Sequence, residues 1–214
     1  MAENIVKKNL SFFLVWILLI FLGSAFILVY PKPEFFIILN KFHIRPLDYF
    51  FRMVTFLGDG IFIIITALFF FLKKNRALSF MIISSYLISG IVVKALKNFF
   101  PVPRPAMYFQ LNNISYTNFL DGVTLHNYYS FPSGHTASAF ALVASVAMVS
   151  TNKKWGGLLA ISAAIIGYSR IYLGQHFPED VVAGMAIGAI SSVICFVFLW
   201  KLFCKWEGRL NKNG

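Results

Sequence analysis

Six predominantly apolar runs, each close to the length a helix needs to cross a bilayer, limit what this chain can become; they cover residues 11–30, 54–72, 77–99, 134–150, 155–173 and 180–200. A hydrocarbon core about 30 Å thick takes about 20 helical residues. Within it every backbone N–H and C=O must find a partner inside the protein, which a helix provides along its own length. Composition agrees, with 58% hydrophobic residues, only 13% charged residues and a mean hydropathy of +0.73. The expected fold is therefore all-α, an integral membrane bundle of six transmembrane helices, forming a single domain over residues 1–214 with no soluble appendage. The first run is full length and no small-x-small site follows it before Pro31, so it reads as a span and not as a cleaved signal peptide.

Lysine and arginine set the expected orientation, because their excess marks the cytoplasmic side. With six spans both termini share a side, which holds Lys7, Lys8, Lys73, Lys74, Arg76, Lys153, Lys154 and the tail residues Lys201, Lys205, Arg209 and Lys212. Both termini are thus expected in the cytoplasm. The net charge of +11 is then a topology signal and an attraction to anionic headgroups. A nucleic-acid partner is not expected, because the basic residues form no single patch with interleaved aromatics. Cys195 and Cys204, near the cytoplasmic end of the last run, read as packing residues and not as a disulfide or a metal site.

The loops are unequal. The cytoplasmic turns at 73–76 and 151–154 are short, whereas the outer segments 31–53 and 101–133 are long and rich in polar and turn residues. Long loops in a compact domain usually carry function. No internal repeat with matched Gly and Pro interruptions is evident, which weighs against a carrier.

Three segments bring chemistry to the outer side. "KNFFPVPRP" ends the third run with Lys97 and then Arg104, two cations aimed at one region. "FPSGHTAS" opens the fourth: Ser133 is placed to N-cap the helix, and Gly134 and His135 begin it with amides that have no intrahelical acceptor. Free N–H groups and the positive end of the helix dipole favour an anion, and glycine allows it close to the backbone. "SRIYLGQHFPED" supplies Arg170, His176 and, four residues later, Asp180, with Pro178 suited to the first turn of the sixth helix. The spacing lets Asp180 hold one imidazole N–H and leave the other nitrogen free, so His176 is a candidate nucleophile. Charged groups near or within spans are costly and usually functional. The ligand that suits three cations and a helix N-terminus is a phosphate.

Read in order, Lys97–x6–Arg104–Pro105, then Pro132–Ser133–Gly134–His135, then Ser169–Arg170–x5–His176–x3–Asp180 resembles the complete three-part signature of the type 2 phosphatidic acid phosphatase superfamily, which also includes vanadium haloperoxidases. The resemblance implies that Lys97, Arg104 and Arg170 clamp the phosphoryl oxygens, with Ser133 and the Gly134 amide completing the cradle. It further implies that His176 attacks phosphorus, that Asp180 orients it, and that His135 protonates the leaving group and then activates water. No cofactor and no metal are implied. The sequence has no HExxH, carboxylate cluster or cysteine set to hold one.

The expected activity is hydrolysis of a lipid phosphate or diphosphate at the outer face of a bacterial cytoplasmic membrane. Undecaprenyl diphosphate, lipid A phosphates, phosphatidylglycerol phosphate and phosphatidic acid are all open as substrates, and the segment 107–130 is where headgroup choice is expected. Three other readings stand beside it: an anion or lipid transporter, which would move phosphate without hydrolysis; an inactive lipid-binding relative, which would not need both histidines; and a haloperoxidase, which six membrane spans do not suit. Asp59, between Gly58 and Gly60, reads first as a helix cap and second as a residue lining the entrance. His43 and His126 read as loop residues, with His126 near enough to the second motif to touch a headgroup. Lys94, one turn before Lys97, is read equally as a headgroup contact or as part of the site.

Overall fold

The computed structural model of the chain describes residues 6–210; Lys212, assigned above to the basic tail, lies outside them. In chain order the helices are α1 (Leu10–Val29), α2 (Lys32–Asn40), α3 (Arg45–Val54), a 3-10 turn (Thr55–Gly58), α4 (Gly60–Leu72), α5 (Arg76–Phe99), α6 (Pro105–Leu111), α7 (Gly134–Val149), α8 (Gly156–Tyr172) and α9 (Pro178–Leu210). No strand occurs among the described residues, where the sole extended pairing is an isolated antiparallel bridge between Pro103 and Tyr128.

Helices α1, α5 and α9 are long and apolar enough to cross a membrane, as is the pair from Arg45 to Leu72 if it counts as one span. That second run is not the straight helix its hydropathy suggests. It bends by 60° between Gly58 and Gly60. The bend has a local cause: Asp59 leaves helical geometry to cap α4, its Oδ1 accepting from the Ile61 N–H at 2.8 Å. The outer segment 31–53, read from sequence as loop, is largely helical as α2 and α3.

At the centre lies α7, only 16 residues long and packed by α5, α8 and α9. Its alanines and serines explain how it can be enclosed: in lipid, where apolar neighbours offer no hydrophobic drive, helices associate through small residues and interhelical hydrogen bonds. Ser145 makes such a link, its Oγ lying 2.9 Å from Ser85 Oγ of α5 and 3.2 Å from Ser192 Oγ of α9. By contrast α1 exposes Leu14, Ile17, Leu18 and Phe21 and has the character of a lipid-facing helix.

Two contacts hold the outer segments over the end of α8. Buried Asn40 donates from Nδ2 to the carbonyls of Ile171 and Tyr172, both at 2.8 Å, and accepts from the Tyr116 hydroxyl at 2.6 Å. Nearby, Phe36, Phe109, Tyr116 and Phe119 cluster with fully buried Phe177, whose ring centroid is 5.5 Å from that of Phe36. This anchors the residue next to His176.

The approach of α9 to α7 depends on absent side chains. A Cβ at Gly188 would fall 2.2 Å from the Ala137 carbonyl oxygen and 2.8 Å from Phe140 Cβ, whereas one at Gly90 of α5 meets nothing within 4 Å. Gly188→Ala is therefore expected to cost about 1–3 kcal/mol through overpacking. Gly90→Ala is expected to stabilise by about 0.5–1 kcal/mol. Thermal unfolding in detergent should move the two midpoints in opposite directions.

Candidate active site

Four pieces of chain meet at one end of the bundle, where α5 and α8 finish and α7 and α9 begin. Helix α9 begins at Pro178, and Asp180 in its first turn is fully buried. Its Oδ2 accepts three hydrogen bonds: from Ser130 Oγ at 2.5 Å, from the Phe177 N–H at 2.9 Å and from His176 Nδ1 at 3.3 Å. Its Oδ1 has no hydrogen-bond donor among the described residues. The Asp180 backbone carbonyl accepts from the Ser133 N–H at 2.9 Å, which joins the start of α9 to the start of α7.

His176 is 2% exposed. With Nδ1–H given to Asp180, the tautomer leaves Nε2 with its lone pair. Burial holds the imidazole well below its ordinary pKa of 6.5, and the charges of Arg104, Arg170, Lys97 and His135 push it the same way. All four act on this ring, so the neutral form is the resting state.

The cations are held by a loop and not by acids. Lys97 Nζ donates to the Tyr129 carbonyl, and Arg104 Nε to the Tyr128 carbonyl at 3.1 Å. Arg104 Nη1 also donates to the backbone and side-chain oxygens of Gln175, at 3.2 and 3.1 Å. The same loop is braced by Arg104 N–H to the Asn127 carbonyl at 2.8 Å and by Ser130 N–H to the Val102 carbonyl at 3.1 Å. Arg170, 8% exposed at the end of α8, gives Nη1 to Thr55 Oγ1 at 2.6 Å, while its Nε has no hydrogen-bond partner among the described residues. With no carboxylate in these contacts, the guanidinium and ammonium charges are left for an incoming anion.

Ser133 caps α7 as expected, its Oγ accepting from the Thr136 N–H at 3.4 Å and from the Thr136 hydroxyl at 2.8 Å. Gly134 and His135 follow. The His135 ring reaches back toward the bend: its Nε2 lies 3.8 Å from Asp59 Oδ2. Asp59 is thus both the cap read from sequence and a charged neighbour of His135. That second role was invisible in one dimension, because nothing at 58–60 points to a partner 76 residues later. Ser130, Gln175 and Thr55 were missed for the same reason. Their signals are single polar residues in segments without periodicity.

Of the other residues noted above, Lys94 is exposed on α5, and His43 packs edge-on against Tyr172 with its Nδ1 3.5 Å from Asp48. His126 lines a cavity that also touches Arg170 and Gln175. Among the described residues no three His, Cys, Asp or Glu side chains group to hold a metal ion. A second cavity, about 260 Å³, runs from Gly134 and His135 along Gly90, Val93 and Ala137.

One consequence concerns protonation. With 15N-labelled histidine in micelles, the His176 ring is expected to remain neutral at pH 6.5 and below, where an ordinary imidazole is half protonated. The unfolded chain takes up that proton and the folded one does not, so acidification below about pH 6.5 lowers stability. A His176 ring that titrates at the ordinary value would contradict this.

The chain is similar to known proteins in sequence and in fold. Residues 76–204 match the model of the PAP2 superfamily. The chain is 30% identical to a Porphyromonas gingivalis protein named lipid A 4'-phosphatase, over 83% of this chain and 76% of that one. It is 28% identical to a Sulfolobus acidocaldarius protein named undecaprenyl-diphosphatase, over 75% of each chain. The crystal structure of Aquifex aeolicus LpxE superposes with a TM-score of 0.65 at 32% identity, covering 77% of this chain and 94% of that one. With its three motifs gathered on one buried dyad and more than half its length matched, the chain belongs to the PAP2 superfamily.

Proposed function

We propose that this protein is an integral-membrane phosphatase, a single domain of six spans, that removes phosphate from a lipid phosphate or diphosphate at the extracytoplasmic face of a bacterial cytoplasmic membrane. The observation that carries the reading is the buried His176–Asp180 pair, 3.3 Å apart, with Lys97, Arg104 and Arg170 around it whose hydrogen bonds among the described residues go to no carboxylate. The names of the relatives agree with a lipid substrate. So does the cavity that leaves His135 between α4, α5 and α7, because its small and apolar lining suits a hydrocarbon chain arriving sideways from the bilayer. The outward placement rests on the clustering of Lys73, Lys74, Arg76, Lys153 and Lys154 at the opposite ends of the helices.

In this mechanism Lys97, Arg104, Arg170, Ser133 and the Gly134 amide hold the phosphoryl oxygens, where charge spreads in the transition state. His176 Nε2 attacks phosphorus as the P–O bond to the lipid breaks. Asp180 keeps Nδ1–H in place and stabilises the positive charge that develops on the ring. With the anionic substrate bound and Asp59 beside it, His135 carries a proton, which it gives to the departing oxygen. It then takes a proton from water, which attacks the phosphohistidine, breaks the P–N bond and releases inorganic phosphate. No step calls for a metal.

Phosphate release from detergent-solubilised lipid phosphates, measured with EDTA present, tests this directly. Wild type should retain activity. His176→Ala should lose roughly 1,000-fold or more, as expected for a nucleophile. His135→Ala should lose roughly 100-fold or more, as expected for a general acid and base. Metal-dependent release, or unchanged release by both variants, would contradict the mechanism.

A further inference from the structure

The motif residues leave one large feature unexplained, a cavity of about 420 Å³ on the outer side. It is lined by Arg52, Thr55, Thr124, His126, Arg170 and Gln175 among others, and none of its lining residues is a carboxylate. A single phosphoryl group needs far less room, since whole small-molecule ligands occupy about 300–1,000 Å³. Two of its walls belong to the clamp described above, Arg170 and Gln175, while Arg52 and His126 come from segments outside every motif.

Three observations give it a chemical character. Arg52 Nη2 is pinned by the Asp121 carbonyl, and Arg52 has no ion pair among the described residues, so its charge is positioned and unopposed. Arg170 is more than nine-tenths buried, yet its Nε is unpartnered, and it lines the same cavity. The wall formed by Thr55 and Phe56 continues along the 3-10 turn to Asp59, beside His135. The same short turn thus joins the cavity wall to the neighbour of His135.

We infer that the cavity is a subsite for a second phosphoryl group, carried on the leaving-group part of the substrate and held by Arg52 and His126 with the outer edge of Arg170. The inference rests on the phosphatase reading and narrows its substrate class. Prenyl diphosphates and lipids with a phosphodiester headgroup carry such a group, whereas a phosphatidic acid does not. Arg suits the role because its planar fork gives paired donors to phosphate oxygens.

The test compares kcat/KM from initial rates within two chain-matched pairs: farnesyl diphosphate with farnesyl monophosphate, and phosphatidylglycerol phosphate with phosphatidic acid. Wild type should prefer the doubly phosphorylated member of at least one pair by about tenfold or more, the worth of a charge-assisted hydrogen-bonded contact. Preference in the first pair identifies an adjacent phosphate, and preference in the second a remote one. Arg52→Gln should collapse the ratio, Arg52→Lys should keep part of it, and Arg45→Gln, outside the cavity, should keep it whole. Turnover of the singly phosphorylated lipids by Arg52→Gln reports that the variant is folded. Equal rates within both pairs, or a preference that survives Arg52→Gln, would overturn the subsite while leaving the phosphatase reading intact. Failure to hydrolyse any of the four lipids would remove both.

Discussion

The carboxylate of Asp180 is the junction on which the rest of this structure depends. An ionised group without solvent access is costly unless donors surround it. Here the donors are also the parts of the site. Ser130 brings the loop that holds Lys97 and Arg104, Phe177 brings the aromatic cluster under α2 and α6, and His176 brings the free imidazole nitrogen. Through its backbone carbonyl the same residue fixes the Ser133 amide and hence the start of α7. One buried residue thus sets the register among three segments far apart in sequence. Desolvation makes that register costly to break, because each donor lost leaves the buried carboxylate less compensated.

The bundle around this junction divides its labour by side-chain size. Helix α7 can be short and enclosed because alanine, serine and the facing glycines of α9 let backbones approach closely. Its N-terminus is then brought to the site with the Gly134 and His135 amides unspent. The longer helices α1, α5 and α9 carry the apolar surface. The 60° bend at Asp59 belongs to the same design. By ending one helix and capping the next, it turns a carboxylate toward His135 and shapes the wall between the lateral cavity and the outer one.

Much of this was legible in the sequence, and the reasons for the remainder are physical. Hydropathy located the apolar helices because burial in lipid acts on every residue of a span. The N-cap at Ser133, the start of α9 at Pro178 and the pairing of His176 with Asp180 were readable because capping and i,i+4 geometry are local. The bend within 54–72 was hidden, since an apolar run has the same composition whether straight or broken. The helices α2 and α3 were hidden too, because they lie in a segment whose prolines and charges also suit a loop. Ser130 holds the Asp180 carboxylate, and Gln175 and Thr55 hold Arg104 and Arg170, through contacts spanning 50, 71 and 115 residues, and no local pattern encodes such partners. Asp59 was read correctly as a cap, but its closeness to His135 follows only once α4 and α7 are packed together.

The central claim is that the fixed cations and the His176 imidazole face one tetrahedral anion from different sides. A crystal structure with orthovanadate, which adopts the five-coordinate geometry of phosphoryl transfer, tests it most directly. The account predicts vanadium bonded axially to His176 Nε2, equatorial oxygens on Lys97, Arg104, Arg170, Ser133 and the Gly134 amide, and His135 at the opposite apex. Vanadate bound away from His176, or with the two imidazoles on the same side of the anion, would contradict it.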